Sequence, residues 1–232
     1  MTIKATFLGA HDFPKDRTRA EYLSDLIVEI LPEVSKRKLA DACDVFIDEG
    51  FYTLAEGRKI LEQAKSLGMQ IKVHADELAN TESAGLAAEL GALSADHLLR
   101  ISADGINKLA GSETVAVLLP STAFYLKAAH APARALIAAG ARVAISTDFN
   151  PGTSMTLSLP ATLTIAALYL GMTRAELFAS VTYNAACALG LQARKGSLVI
   201  GLDADFSILP FQKFEEIYYR FAWSFPPKVI GL

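Results

Sequence analysis

Little in the sequence points toward a membrane, a nucleic acid or an oxidising compartment. Its 232 residues hold only two cysteines, Cys43 and Cys187, too few for a disulfide framework, so a reducing compartment is expected. The most apolar stretch, ATLTIAALYL at Ala161–Leu170, falls well short of the roughly 20 residues that cross a bilayer. The opening MTIKATFLGAHDF lacks the apolar centre of a signal peptide. Charge is balanced, with Lys+Arg 22 against Asp+Glu 25, which leaves no basic footprint for nucleic acid or an anionic lipid surface. No low-complexity tract or block of like charge interrupts the chain, and no G-x-G-x-x-G turn follows a strand, which weakens a dinucleotide-binding reading. A soluble, cytoplasmic, globular chain is expected.

What is present is one unit repeated. Six runs read as strands: IKATFLGA, CDVFIDEG, QIKVHADE, ALSADHLL, ETVAVLLP and ARVAISTDF. Between them apolar residues recur at helical spacing, as in TLAEGRKILEQAKSLG, where Leu54, Ile60, Leu61, Ala64 and Leu67 make one stripe. Thr53 with Glu56 and Thr173 with Glu176 fit capping boxes. Gly68, Gly91, Gly111, Gly140, Gly171 and Gly190 fall where left-handed residues end helices, and Pro160 fixes a helix start just before it. Strand–helix alternation with apolar strands means a parallel sheet covered by helices. Because polar residues gather at successive strand ends, the barrel is favoured over the open doubly wound sheet. A closed barrel of this kind needs eight strands, so about six give an incomplete TIM-type (β/α) barrel. Two open apolar edges would then call for cover from another chain, hence an expected homo-oligomer. The segment GSLVIGLDADFSIL is expected to form a β-hairpin turning near Gly201–Asp203, part of an accessory β-sandwich. The division expected is 1–195 for the barrel and 196–232 for the accessory remnant and tail.

The rim residues are His11, Asp48 with Glu49, His74 with Glu77, His97, Ser121 and Asp148. Imidazole and carboxylate are ordinary ligands of zinc or ferrous iron, which activate water, so His74 and Asp148 lead the candidates. A lone strand-end Asp is also a good turn former, and a lone strand-end His is more often a packing residue. Asp76 and Glu77 beside His74 add groups able to orient a ring or handle protons. His97 is placed to polarise a carbonyl, and His11, near Gly9, to donate a hydrogen bond to substrate. His130 carries no supporting pattern, and neither cysteine lies on the rim. Taken together the pattern reads as a metal-assisted hydrolase.

HADELANTESAGLAAELGALSADHL, VAVLLPSTAFYL, APARALIAAGARVAISTDFNPGTS, TYNAACALG and GSLVIGLDADFSIL, with TFLGAHDFP and DVFIDEGFYT before them, resemble the imidazolonepropionases of the amidohydrolase superfamily. The resemblance implies metal-dependent ring opening of 4-imidazolone-5-propanoate to N-formimidoyl-L-glutamate in histidine degradation, with that small molecule as partner. It implies one divalent ion, zinc or iron, held by His74 and Asp148, with Asp148 also moving the proton. It assigns Glu77 to substrate and water, His97 to the attacked carbonyl, and His11, Asn150, Gly152 and Thr153 to substrate contact. The family's His-x-His, which supplies two further ligands, occurs nowhere in this sequence. By that comparison the chain is expected to start at the third barrel strand, to hold two of four ligands, and to work weakly in isolation. The ending FAWSFPPKVIGL is unlike the family's closing strand. A recruited third ligand (His11 or His97) and a non-catalytic binding or oligomerisation module are the alternatives.

Overall fold

The computed structural model describes residues 2–224 and 228–231. The chain divides into two compact units, Ile3–Ala116, and Val117–Leu232 with the first two residues. Among the described residues the strands β1 (Thr6–Ala10), β2 (Ala42–Ile47), β3 (Gln70–Ala75), β4 (Ser94–His97), β5 (Val115–Leu118) and β6 (Val143–Ile145) form one sheet in chain order. All six expected strands are present, most ends trimmed by two to four residues and β2 starting one residue earlier.

In the first unit β1 to β4 pair in parallel, with registers such as Val45↔Val73 and His74↔Asp96. Helices link them: α1 (Arg19–Asp25) passes through a π-helical stretch (Leu26–Ile30) into α2 (Leu31–Lys36), and α3 (Leu54–Ser66), α4 (Ser83–Leu90) and α5 (Ala103–Ala110) follow. Side chains alternate across a strand. Cys43, Val45, Ile47, Ile71, Val73 and Ala75 are buried on one face of the sheet. There Gly57 of α3 comes so close to β2 that an added methyl would lie 2.7 Å from Ile47 Cγ1. The opposite face carries Asp44, Lys72, His74, Ser94 and Asp96, a polar set where barrel interiors normally hold branched apolar residues. That inversion places the chemistry.

Capping chemistry sets the helix starts. Thr53–Glu56 closes both hydrogen bonds of a capping box on α3, and Thr18–Glu21 does the same on α1. Arg19 then bridges the two helices, donating to Glu56 Oε1 at 2.7 Å. Gly68, Gly91, Gly140, Gly171 and Gly190 take positive φ as expected, but Gly111 ends α5 at φ −84, a conformation any residue adopts.

The second unit carries α6 (Pro120–Tyr125), α7 (Ala133–Ala139), β6, α8 (Leu159–Tyr169), α9 (Arg174–Ser180) and α10 (Tyr183–Ala188). Pro160 stands in the first turn of α8 behind the Ser158 cap, and Thr173–Glu176 caps α9. Beyond them come β7 (Phe206–Ile208), α11 (Glu216–Tyr219) and β8 (Lys228–Ile230). The C-terminal antiparallel pair exists, but β7 pairs with β8, not with a strand inside Gly196–Leu209. Around the expected turn, Arg194 and Lys195 instead bind Asp203 at 2.8 and 3.2 Å, and Asp203 N donates to Arg194 O, which folds the segment into a salt-bridged loop. No helix among the described residues is long and apolar enough to cross a membrane.

Candidate metal and hydrolytic site

The histidines of the first unit are delivered at or near strand ends. A bulge between Phe7 and Ala10 advances β1 by one residue against β2, and His11 follows directly. Gly9 contributes by its size: a side chain there would collide with the Phe7 ring, 2.8 Å from Cε1. His74 lies next to the end of β3 and His97 at the end of β4.

The three imidazoles meet. Ring centroids of His11 and His74 are 4.5 Å apart, and those of His74 and His97 are 5.0 Å apart. His97 is 4% exposed, and its Nδ1 is 3.3 Å from Glu77 Oε1. Burial first, then repulsion from His74, lowers the His97 pKa to about 3, so the ring is neutral at physiological pH. His11, His74, His97 and Glu77, picked out separately in the sequence, are thus neighbours.

Asp44 was not among the sequence candidates, yet it joins the histidines. It sits inside β2, 1% exposed, and its Oδ1 lies 2.8 Å from both His11 Nε2 and His74 Nδ1. Burial alone would raise its pKa; electrostatic attraction to the His74 ring and hydrogen bonds from both rings outweigh that and hold the carboxyl well below the usual range. His11, Asp44 and His74 offer ligand atoms all within 4.8 Å of one another, a two-imidazole, one-carboxylate set of the kind that zinc and ferrous iron take. Next to it Asp96 Oδ1 is buried without a hydrogen-bond partner among the described residues, and burial followed by the Asp44 charge raises that carboxyl's pKa. The only sequence signal was a charge inside an otherwise apolar strand, CDVFI.

Two other acids turn out to be structural. Asp48 accepts from the backbone N–H groups of Glu49, Glu77, Leu78 and Ala79 at 2.8–3.0 Å, tying the loop after β3 to the end of β2. Asp76, fully buried at φ +48, accepts from Thr81 and Ser83 and caps α4 through Ser83 N and Ala84 N. Glu49 is exposed. Cys43 is buried, and its thiol is pushed up to about 12, which leaves it protonated.

In the second unit Asp148 follows β6 at φ +51, and Thr122 Oγ1 of α6 donates to its Oδ2 at 2.6 Å. Positive φ at Asp76, His97, Leu98 and Asp148 gathers non-glycine strain at strand ends, a frequent mark of functional loops. The turn beyond Asp148 is tied by Asn150, whose Oδ1 accepts from Gly152 N and Thr153 N and whose Nδ2 donates to Asp148 O. Ser121 pairs with Thr162, and His130 stacks on Tyr169 at 4.9 Å.

Parallel strands in chain order, helices between them and imidazoles with carboxylates at strand ends define a class, and the comparisons agree with it: a model of the amidohydrolase family matches residues 35–222, and the chain belongs to that family. Among curated proteins it is similar to imidazolonepropionases. That of Clostridium tetani is 45% identical over 217 residues, 93% of this chain and 52% of that protein. That of Geobacillus kaustophilus is 45% identical over 230 residues, 98% of this chain and 54% of that protein. The chain therefore spans about half the length of the curated relatives it matches. Among solved structures, an adenosine deaminase from Xanthomonas campestris with bound zinc superposes with a TM-score of 0.73 at 21% identity, over 90% of this chain and 55% of that one. An Aspergillus niger ochratoxinase gives 0.69 at 19% identity, over 92% and 60%. These two likenesses show the fold: six consecutive strand–helix units of an amidohydrolase-type (β/α) barrel.

Proposed function

We propose that this chain carries the machinery of an imidazolonepropionase-type amidohydrolase, adding water to 4-imidazolone-5-propanoate and breaking a ring C–N bond to give N-formimidoyl-L-glutamate. The observation that carries the reading is the meeting of His11, His74 and His97 with Glu77 in a chain 45% identical to imidazolonepropionases. His74 and Asp148 would hold one divalent ion, zinc or iron. Such an ion polarises a carbonyl and makes water a nucleophile near neutral pH. Imidazole and carboxylate, the donor types gathered around His74, are ones that either metal takes.

The remaining roles belong to the protein. Glu77, its backbone anchored on Asp48, contacts substrate and orients the attacking water. His97, kept neutral by burial and 3.3 Å from Glu77, stands beside the attacked carbonyl and steadies the developing oxyanion. Asp148, steadied by Thr122, takes the water's proton and returns it to the leaving nitrogen. His11 and the Asn150–Gly152–Thr153 turn contact substrate. In this reading 196–232 form an accessory region, and the protein works in the cytoplasm as a homo-oligomer in histidine degradation. Exposed Leu198, Val199 and Ile200, at 84, 63 and 103%, support self-association.

The test is ring opening of imidazolone propionate, followed by loss of its ultraviolet absorbance with zinc or ferrous iron present. Turnover lost in His74→Ala and in Asp148→Asn supports the reading. A well-folded wild-type chain with no turnover at saturating metal ends the reading that this chain hydrolyses the ring unaided, and leaves an incomplete enzyme or a binding module.

A further inference from the structure

The geometry points to a role for Asp44 behind the histidines: we infer that its Oδ1 fixes the tautomers of both His74 and His11, putting the lone pair on Nε2 of His74 and on Nδ1 of His11. Asp44 occupies the middle of a buried strand, where an unpaired carboxylate would be costly. Its compensation is specific. One oxygen faces two imidazole nitrogens, each at 2.8 Å. That is the spacing of charge-assisted hydrogen bonds. Three atoms bound to one tetrahedral ion at about 2.0–2.1 Å would stand about 3.3 Å from one another. Asp44 is therefore closer to the rings than a fellow ligand would be.

An ionised carboxylate only accepts, so both facing nitrogens carry their protons. The hydrogen bond made by one ring nitrogen settles the state of the other. His74 is held as the Nδ1–H tautomer, the less common form of free histidine, and Nε2 becomes its basic atom. His11 is held in the opposite form. Two consequences follow, resting on the proposal that His74 binds the metal. Its ligand atom is Nε2, with Asp44 completing the carboxylate–histidine–metal arrangement that orients metal-binding imidazoles. His11, whose Nε2–H is committed to Asp44, meets a ligand through Nδ1 as an acceptor. It therefore recognises a donor, such as the ring N–H of a cyclic amide, where the sequence had indicated a hydrogen-bond donor toward substrate. The edge-on packing of the two rings, with an interplanar angle of 76°, lets both reach the same oxygen.

The test uses the full chain with 15N-labelled imidazoles. There are four histidines, assigned by replacing each with Gln. At pH 8 without metal, two-bond 15N–1H spectra should show His74 protonated at Nδ1 and His11 at Nε2. In Asp44→Ala, His74 should shift toward the Nε2–H form, and zinc affinity, measured by competition with a chromophoric chelator, should fall about 10–100-fold. Asp44→Asn, whose amide oxygen still accepts, should keep both tautomers and the visible spectrum of the cobalt(II)-substituted chain. Three results overturn the inference: His74 protonated at Nε2 in the wild type, tautomers unchanged in a folded Asp44→Ala, or a cobalt spectrum in Asp44→Asn that shows a ligand lost. If Asp44→Ala does not fold, the wild-type tautomers still decide. Equal zinc affinity in wild type and His74→Ala would sink the ligand reading of His74 and leave the tautomer result standing.

Discussion

Asp48 concentrates four backbone N–H groups from two loops on one carboxylate, and only the charged, correctly placed side chain can take them all. Asp48→Ala leaves buried donors without an acceptor, a loss of about 1–3 kcal/mol or more. Urea unfolding should show it, and amide exchange at Glu77, Leu78 and Ala79 should speed up well beyond that at β4. Equal acceleration everywhere would mean that Asp48 serves global stability and does not locally hold the Glu77 loop. His97 makes a pH prediction. Its folded pKa is lowered from 6.5 to about 3, so between those values the unfolded chain binds more protons. Its contribution is complete above pH 6.5 and drains away as pH falls toward 3. Stability measured from pH 7 to 4 should fall less steeply in His97→Gln than in the wild type. Identical slopes would show that His97 is already charged in the fold.

At the scale of elements, α3 sets propensity against packing. Alanine is the better helix former by about 1 kcal/mol, yet a methyl at position 57 would press into Ile47, which is fully buried. Overpacking of this kind costs about 1–3 kcal/mol, so Gly57→Ala should lower the melting temperature. Adding Ile47→Val, which removes the terminal methyl, should recover part of the loss through a coupling that simple addition of the two changes does not give. Thr53→Ala, which opens the capping box of the same helix, should cost about 1 kcal/mol by denaturant unfolding. These starts were legible because a cap is local, three residues apart. The strands were legible because β-branched runs bounded by glycine carry their own signal. The partner of β7 was not, since β8 lies some 20 residues further on and no short-range pattern records a pairing made at that distance.

For the whole molecule, sequence reading found the histidines and Glu77 because strand ends in a parallel barrel converge whatever lies between them. It missed Asp44, whose role depends on a register (Phe46 beside His74) and a bulge in β1 that only the folded sheet defines. It placed Asp48 at a strand end, where it stands, but not its role of holding loops, since a carboxylate that holds loops and one that meets ligand look alike in a string of letters. The thermodynamics of the assembled site give a test for the intact chain. An ion that binds only the folded state stabilises it by RT ln(1 + [M]/Kd), about 2.7 kcal/mol at a hundredfold excess over Kd. For a chain of this length each kcal/mol moves the midpoint by about 2–4 °C. Zinc at that excess should therefore raise the melting temperature by about 5–10 °C, and a chelator should reverse it. His74→Ala should abolish the shift, while His130→Ala, which removes a ring stacked on Tyr169, should keep it. A shift that survives His74→Ala would put the ion on other ligands and separate the stabilising site from the imidazole cluster.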